Sequence, residues 1–380
     1  MIVLCFLLWG YICIYPPTIV PIFLDPSTRV IYESIVLLTI VLYSRLRDTL
    51  KIPKDLLWLI VLVALYWIFS QEESKQVLSF FNKYVFLIFL ISVIRHSRSL
   101  FIWLRGTWIA VWFVMPVLAV LACLIFALNL APYSAFRFGN YEYFNYPLLG
   151  LVLHKHFGSY ILPRYSSWFV EPGYLSFFFG ANIFMARYLL FRVNWRRWFI
   201  GFNLVGGLLT FSVTFYIFFF VYFMYLLFRR NKLMPKTTIF ILCAVAAVGI
   251  VYIWRNPDQI AFTSFGDRAW RYLGAWRVFL GMQIKHLIFG YGIIPLQIAV
   301  GAGLGSGFLD ILLGRGLLVF IFVMRLLYRY TKYSPGLLLF IIFYNMAFNF
   351  FTYPIFLLAL VLGYEAYRRR TEILVPEQVA

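Results

Sequence analysis

What most constrains this chain is the recurrence, along almost its whole length, of apolar runs of about 20 residues, the length a helix needs to cross the hydrocarbon core of a bilayer. "TWIAVWFVMPVLAVLACLIFALNL", beginning at Thr107, is one of them. With 63% hydrophobic and only 12% charged residues, too little polar surface remains to cover soluble domains, and no polar stretch reaches domain size. The expectation is an all-α polytopic membrane protein forming a single integral membrane domain over residues 1–380. The opening "MIVLCFLLWGYICIYPPT" has neither a basic leader nor a small-residue cleavage site, so it reads as a retained first helix.

About twelve spans are expected, near 2–24, 29–44, 55–70, 77–94, 103–129, 172–191, 198–212, 213–228, 236–254, 308–327, 335–350 and 352–367. The stretch "LLTFSVTFY" is readable either as a break between two of them or as a kink in one. The net charge of +19 is not a nucleic-acid patch. Its basic residues gather in "SRLRDTLKIPK", "RHSRSLFIWLR", "RVNWRRW", "RRNKLMPK", "RLLYRYTK" and "YRRR", each between or just beyond apolar runs. Placing both termini in the cytoplasm puts every one of these clusters on the cytoplasmic side, as the positive-inside bias demands.

Two segments on the opposite side are long: residues 131–171 and 255–307. The spans themselves are nearly free of charge; Arg315 is the one deep cation, with Asp310 at hand as a partner. A transporter would show charge along its central path, so function is expected at the outer boundary. The first long segment ends "RYSSWFVEPGYLSFFFG". Pro172 suits the first position of a helix and Glu171 its N-cap, where a carboxylate meets the positive end of the helix dipole. As alternatives, Glu171 and Arg164 are a helix end with its partner, or they line a site. His154 and His156 are candidate acid–base groups, but H-x-H alone is poor metal-ligand spacing. Tyr165, Trp168, Tyr174 and, in the second segment, Tyr291 offer ring faces on which sugars stack; an interfacial aromatic belt is the plain alternative.

The second segment carries Arg255, Arg268, Arg271, Arg277 and Lys285 on the side where basic residues are disfavoured, which points to an anionic ligand such as a pyrophosphate. At about 100° per residue Arg268 and Arg271 share a helix face and Arg277 lies nearly opposite. "FGYGI" suits a tight turn near a ligand or helix. "GAGLGSG" lacks the Lys-Ser/Thr of a nucleotide-binding P-loop. No metal or other cofactor is expected, and the four cysteines, all within apolar runs, read as small reduced hydrophobes.

The pattern R-x6-E-P-G-Y (Arg164, Glu171, Pro172, Gly173, Tyr174), followed by "GDRAWRYLGAWRVFLG", "HLIFGYGI" and "SGFLDILLGRGLLVFIF", resembles the bacterial O-antigen polymerase (Wzy-type) family and its ligase relatives. The resemblance implies about twelve transmembrane helices with two large periplasmic loops in the bacterial inner membrane. It implies a metal-independent, inverting-type glycosyltransferase that joins undecaprenyl-pyrophosphate-linked repeat units as donor and acceptor. A chain-length-regulating membrane protein is an implied partner. By position Arg164, Glu171, Arg268 and Arg271 match the family's functional loop residues, Arg277 less closely; Arg277 and Lys285 join Arg268 and Arg271 as candidate pyrophosphate ligands on charge alone. Ligases carry a histidine shortly before the next helix, where "GLGSGFLDIL" has none. An O-antigen ligase and a lipid-linked oligosaccharide flippase are the competing readings.

Overall fold

The computed structural model describes residues 2–13, 18, 31–32, 34–36, 38–39, 42, 54–69, 74–128, 132, 134–138, 141–146, 150–157, 160–228, 264–301, 303–351 and 353–374. The expected span at 236–254 and Arg255 lie outside them, as does most of 29–44.

The described chain is mostly helical. Before the first long segment come α1 (Ile2–Cys13), α2 (Lys54–Phe69), α3 (Ser74–His96) and α4 (Arg98–Ala127). After it come α5 (Pro172–Leu189), α6 (Val193–Leu209) and α7 (Val213–Phe228). The second segment holds α8 (Ser264–Leu280), α9 (Ile284–Phe289) and α10 (Ile293–Val300). A helical turn at Gly307–Leu309 runs into a π-helix, Asp310–Arg315, and α11 (Leu317–Thr331), α12 (Pro335–Ala347) and α13 (Pro354–Leu374) complete the order. Among the described residues one helix, Arg98–Ala127, is long and apolar enough to cross a membrane; Trp58–Phe69, Val213–Leu226 and Pro335–Ala347 are apolar but shorter.

Two expectations are corrected. The region 308–327 is not one helix: Gly316, at φ 87°, interrupts it after the π-helix. The first long segment is not irregular either. It folds into a four-stranded antiparallel meander, β1 (Ser134–Phe138), β2 (Tyr141–Tyr146), β3 (Gly150–Phe157) and β4 (Tyr160–Ser167), paired in that order. Strand-forming aromatic and aliphatic residues alternate with polar ones there. One face of the sheet is anchored by buried Val152 and Tyr165, which pair across β3 and β4, and Tyr143 is buried on the other face. At "LLTFSVTFY" two separate helices, α6 and α7, meet at a turn in which Phe211 takes a left-handed φ of 47°.

The centre of the fold is α5, buried on nearly every side, as a helix apolar all round must be. It packs against α4, α6, α7, α12, α13 and strand β4. Phe177 stacks on Phe350 at 4.0 Å and on Phe340 at 5.4 Å. A chain of interior polar groups crosses this layer. Trp108 Nε1 donates to Asn182 Oδ1 at 2.8 Å, and Asn182 Nδ2 donates to Asn203 Oδ1 at 3.3 Å. Asn203 Nδ2 in turn reaches the Phe199 and Trp112 carbonyls at 2.8 and 3.2 Å.

Helices α5 and α13 run parallel as neighbours. At their starts Tyr174 Oη lies 3.5 Å from Tyr353 Oη. At their ends Arg370 Nη1 donates to the Arg187 carbonyl, and the rings of Tyr188 and Tyr367 are 5.6 Å apart. With 18 residues in α5 and a rise of about 1.5 Å per residue, the two ends are about 27 Å apart.

Candidate functional site

The site is built where α5 and α13 begin. Pro172 occupies the first turn of α5 and Glu171 stands at its N-cap in an extended conformation (φ −135°, ψ 145°). The expected cap position is therefore occupied, but the carboxylate makes no capping hydrogen bond. The sheet delivers it: the Tyr143 hydroxyl donates to the carbonyl of Val170, and β4 packs against α4 and α5. Just upstream Ser167 holds a left-handed φ of 52°, a conformation that typically stores about 1–3 kcal/mol for a non-glycine residue and gathers near functional sites.

One turn on, Tyr174 is packed among Phe348, Phe350 and Tyr353, at centroid distances of 5.1, 5.3 and 5.7 Å. Glu171 and Asp310 are both within electrostatic reach of the Tyr174 and Tyr353 hydroxyls. Asp310 accepts from Asn349 Nδ2 at 3.0 Å, and Arg271 and Arg315 both act on its carboxylate. Arg271 comes from the opposite long segment. Its Nη1 lies 3.1 Å from where a Cβ on Gly305 would stand, and Gly305 takes a φ of 65°, so a side chain there would crowd the guanidinium and strain the backbone. Two carboxylates, two phenols, an amide and at least one partly exposed arginine thus converge from four separate parts of the chain. Such a set can hold an anion at the arginine and accept a proton at a carboxylate.

Glycine also explains the π-helix. Gly290 (φ 90°) and Gly316 (φ 87°) approach backbone to backbone, and a Cβ on either would stand 2.4–2.5 Å from main-chain atoms of the other's segment. Tyr291 N and Gly292 N donate to the Leu313 and Gly314 carbonyls, each at 2.9 Å. "FGYGI" therefore binds to the end of the π-helix, taking carbonyls that its i→i+5 pattern leaves over. Of the two uses expected for this motif, contact with a helix is the one found.

The predicted residues fall into four groups. Glu171, Tyr174 and Arg271 meet at the cluster. Arg164 is half-buried and its Nε donates to the Thr210 carbonyl at 3.4 Å, at the C-terminus of α6, where a cation meets the negative end of the dipole. Arg277 and Lys285 are exposed on α8 and α9. His154 and His156 lie two positions apart on β3, opposite Pro163 and Ile161 of β4, and Arg268 lies on α8 one turn before Arg271.

Among the aromatic candidates, Trp168 is half-exposed, whereas Tyr291 packs edge-on against buried His286 with centroids 5.4 Å apart. Tyr165 requires a correction: it is fully buried, so it offers no ring face to a sugar, and burial pushes its phenol pKa up. The cluster members missed in the sequence are Asp310, Asn349 and Tyr353. Asp310 was visible only as a charge at the edge of an apolar run, and the other two carry no local signal. Among the described residues no group of three or more His, Cys, Asp or Glu side chains could hold a metal ion.

No family model matches this chain, and no curated protein or solved structure matches it either.

Proposed function

We propose that this protein is an integral membrane glycosyltransferase that polymerises undecaprenyl-pyrophosphate-linked oligosaccharide units at the periplasmic face of the bacterial inner membrane. The observation that carries the reading is polarity. The carboxylate–tyrosine–arginine cluster stands at one end of the parallel pair α5 and α13. The other end is crowded with Arg95, Arg187, Arg368, Arg369 and Arg370. A basic end and a site end about one bilayer apart is the arrangement that positive-inside insertion produces. Bands of exposed apolar side chains on α2, α4 and α7, among them Trp58, Ile68, Val114, Leu124, Val213 and Phe220, suit lipid contact better than water. The finer architecture follows the sequence: about twelve spans, cytoplasmic termini and two large periplasmic segments.

In this reading Arg271, with Arg268 one turn before it, binds the donor's pyrophosphate, because guanidinium forks match phosphate oxygens. The acceptor hydroxyl attacks the donor's anomeric carbon as its proton passes to Glu171. The bond from that carbon to the pyrophosphate oxygen breaks, and the lipid pyrophosphate leaves with its charge held by arginine. Attack opposite the leaving group inverts the anomeric centre. Asp310, fixed by Asn349, keeps Arg271 aimed.

The test is a gene deletion in the native host, complemented by wild type, Glu171→Gln or Arg271→Ala, with surface glycans resolved by length. The expected result for both variants is a single repeat in place of the ladder. A normal ladder from both variants overturns the site. Loss of all surface glycan with long lipid-linked chains accumulating indicates the ligase, and single lipid-linked repeats trapped inside indicate the flippase.

A further inference from the structure

The end of the fold opposite the candidate site holds a second constellation. The last turns of α13, the first turns of α4 and the segment after α5 meet there around two phenylalanines. The Arg105 guanidinium lies 5.6 Å from the Phe101 ring centroid and 5.3 Å from that of Phe191. Arg369 lies 4.7 Å from Phe101, and Arg370 5.8 Å from Phe191. Three cations thus share two rings.

The carboxylates nearby are already engaged. Glu365, fully buried, takes Arg95 at 3.4 Å and Arg368 at 2.8 Å, and Glu372 takes Arg368 at 2.8 Å. Arg369 is partly spoken for, since its Nη2 donates to the Ile94 and Arg95 carbonyls at 3.0 and 3.1 Å and so closes the C-terminus of α3. Even so, the Nε atoms of Arg105 and Arg369 are both buried without a hydrogen-bond partner. Among the described residues no carboxylate forms an ion pair with Arg105 or Arg370. Guanidiniums gathered at the edge of an apolar surface, with donors unused, repel one another until an anion with several acceptor oxygens joins them.

The surroundings define the rest of that anion. Phe191 is 49% exposed, and Ile102 and Trp103, beside Phe101 on α4, are 48% and 46% exposed. They continue into the outward apolar face of α4 at Val114, Val117 and Leu121. A ligand that satisfies both parts has a phosphate head and a hydrocarbon tail. We propose that Arg105 and Arg370 bind the phosphate of an anionic phospholipid from the leaflet at the basic end, with its acyl chain along α4 and Arg369 as the structural clamp behind. This rests on the membrane reading above but not on the glycosyltransferase chemistry. It fixes the depth of the fold in the bilayer, since basic pockets at helix ends retain such headgroups.

Native mass spectrometry of the detergent-purified full chain, titrated with phosphatidylglycerol or phosphatidylcholine, tests it. Wild type is expected to retain phosphatidylglycerol preferentially. Arg105→Gln and Arg370→Gln should each weaken that binding by about tenfold, as loss of one charge-assisted contact implies. Phosphatidylcholine should bind all variants alike, and Lys332→Gln, which removes one charge from an exposed turn, should match wild type. Equal retention by wild type and both arginine variants overturns the proposal. So does equal retention of the two lipids by wild type, and so does displacement of the lipid by millimolar inorganic phosphate, which would mark a site for the free anion. Melting in phosphatidylcholine micelles identifies a variant that fails to fold; if Arg105→Gln does, Arg370→Gln decides alone. Recovery of wild type in carbonate-washed membranes reports the membrane reading separately, and its absence there sinks both.

Discussion

At the scale of single residues, the arginines of the second long segment divide by environment rather than by type. Arg271 is half-buried, seated on Gly305 and facing Asp310; Arg277, six positions on, is exposed. Arg271→Ala is therefore expected to lower turnover of a lipid-linked repeat unit in proteoliposomes by about 10²–10³-fold, the usual loss for one preorganised charge-stabilising group. Arg277→Ala should stay within about tenfold of wild type, the scale of one exposed charge in a ligand's field. Equal losses would mean that the ligand spans both faces of α8. A second prediction concerns Gly316. Any Cβ there meets the Gly290 nitrogen and the Ile288 carbonyl, and φ is 87°, so Gly316→Ala combines a clash with left-handed strain. A loss of at least about 2 kcal/mol is expected, read as a lower melting temperature in detergent. Gly290 stood out in the sequence within "FGYGI", but which backbone it had to admit was not readable, because the two segments meet only after folding.

At the scale of elements, the sheet β1–β4 is the largest departure from expectation. Its local signals were present: Gly-containing breaks at "FGN" and "FGS" separate short stretches rich in tyrosine, phenylalanine and leucine. Read among long apolar helices, those aromatics looked like an interfacial belt. The sheet bears on the site because it carries Val170 and Glu171 to the start of α5. Tyr143→Phe, which removes the hydroxyl donor to the Val170 carbonyl, is expected to reduce glycan chain length while leaving membrane expression near wild type. Loss of expression instead would make the contact a folding requirement. The buried amide pair Asn182–Asn203 joins α4, α5 and α6. Asn182→Leu leaves the Trp108 indole N–H and the Asn203 carbonyl oxygen unpaired. A loss of about 1–3 kcal/mol follows, with the melting temperature in detergent as the check.

At the scale of the whole molecule, the parallel pair α5 and α13 gives the fold two unlike ends. Side-specific labelling reads that polarity directly. A cysteine at Trp168, half-exposed beside Glu171, is expected to react with a membrane-impermeant maleimide in cells whose outer membrane alone is permeabilised. A cysteine at Lys332, in the exposed turn joined to the basic end through the Tyr188 hydroxyl and the Tyr333 carbonyl at 2.9 Å, should react only after the inner membrane is opened. The reverse pattern would invert the molecule and overturn the proposed periplasmic site.

By itself the sequence determined that the chain is mostly helical, where α5 begins, and that Glu171 and Pro172 open it, while it left "LLTFSVTFY" open between a break and a kink. These depend on hydropathy, helix period and the backbone limits of proline, all properties of a short stretch of chain. Only the tertiary structure decided that Asp310, Asn349 and Tyr353 join Glu171 and Arg271. Only there is Arg164 seen to hold the end of α6, Tyr165 to be buried, and the helix expected over 308–327 to break at Gly316. Those outcomes depend on which faces of distant helices come into contact. A residue's own neighbours carry no record of that, because packing brings together side chains more than a hundred positions apart.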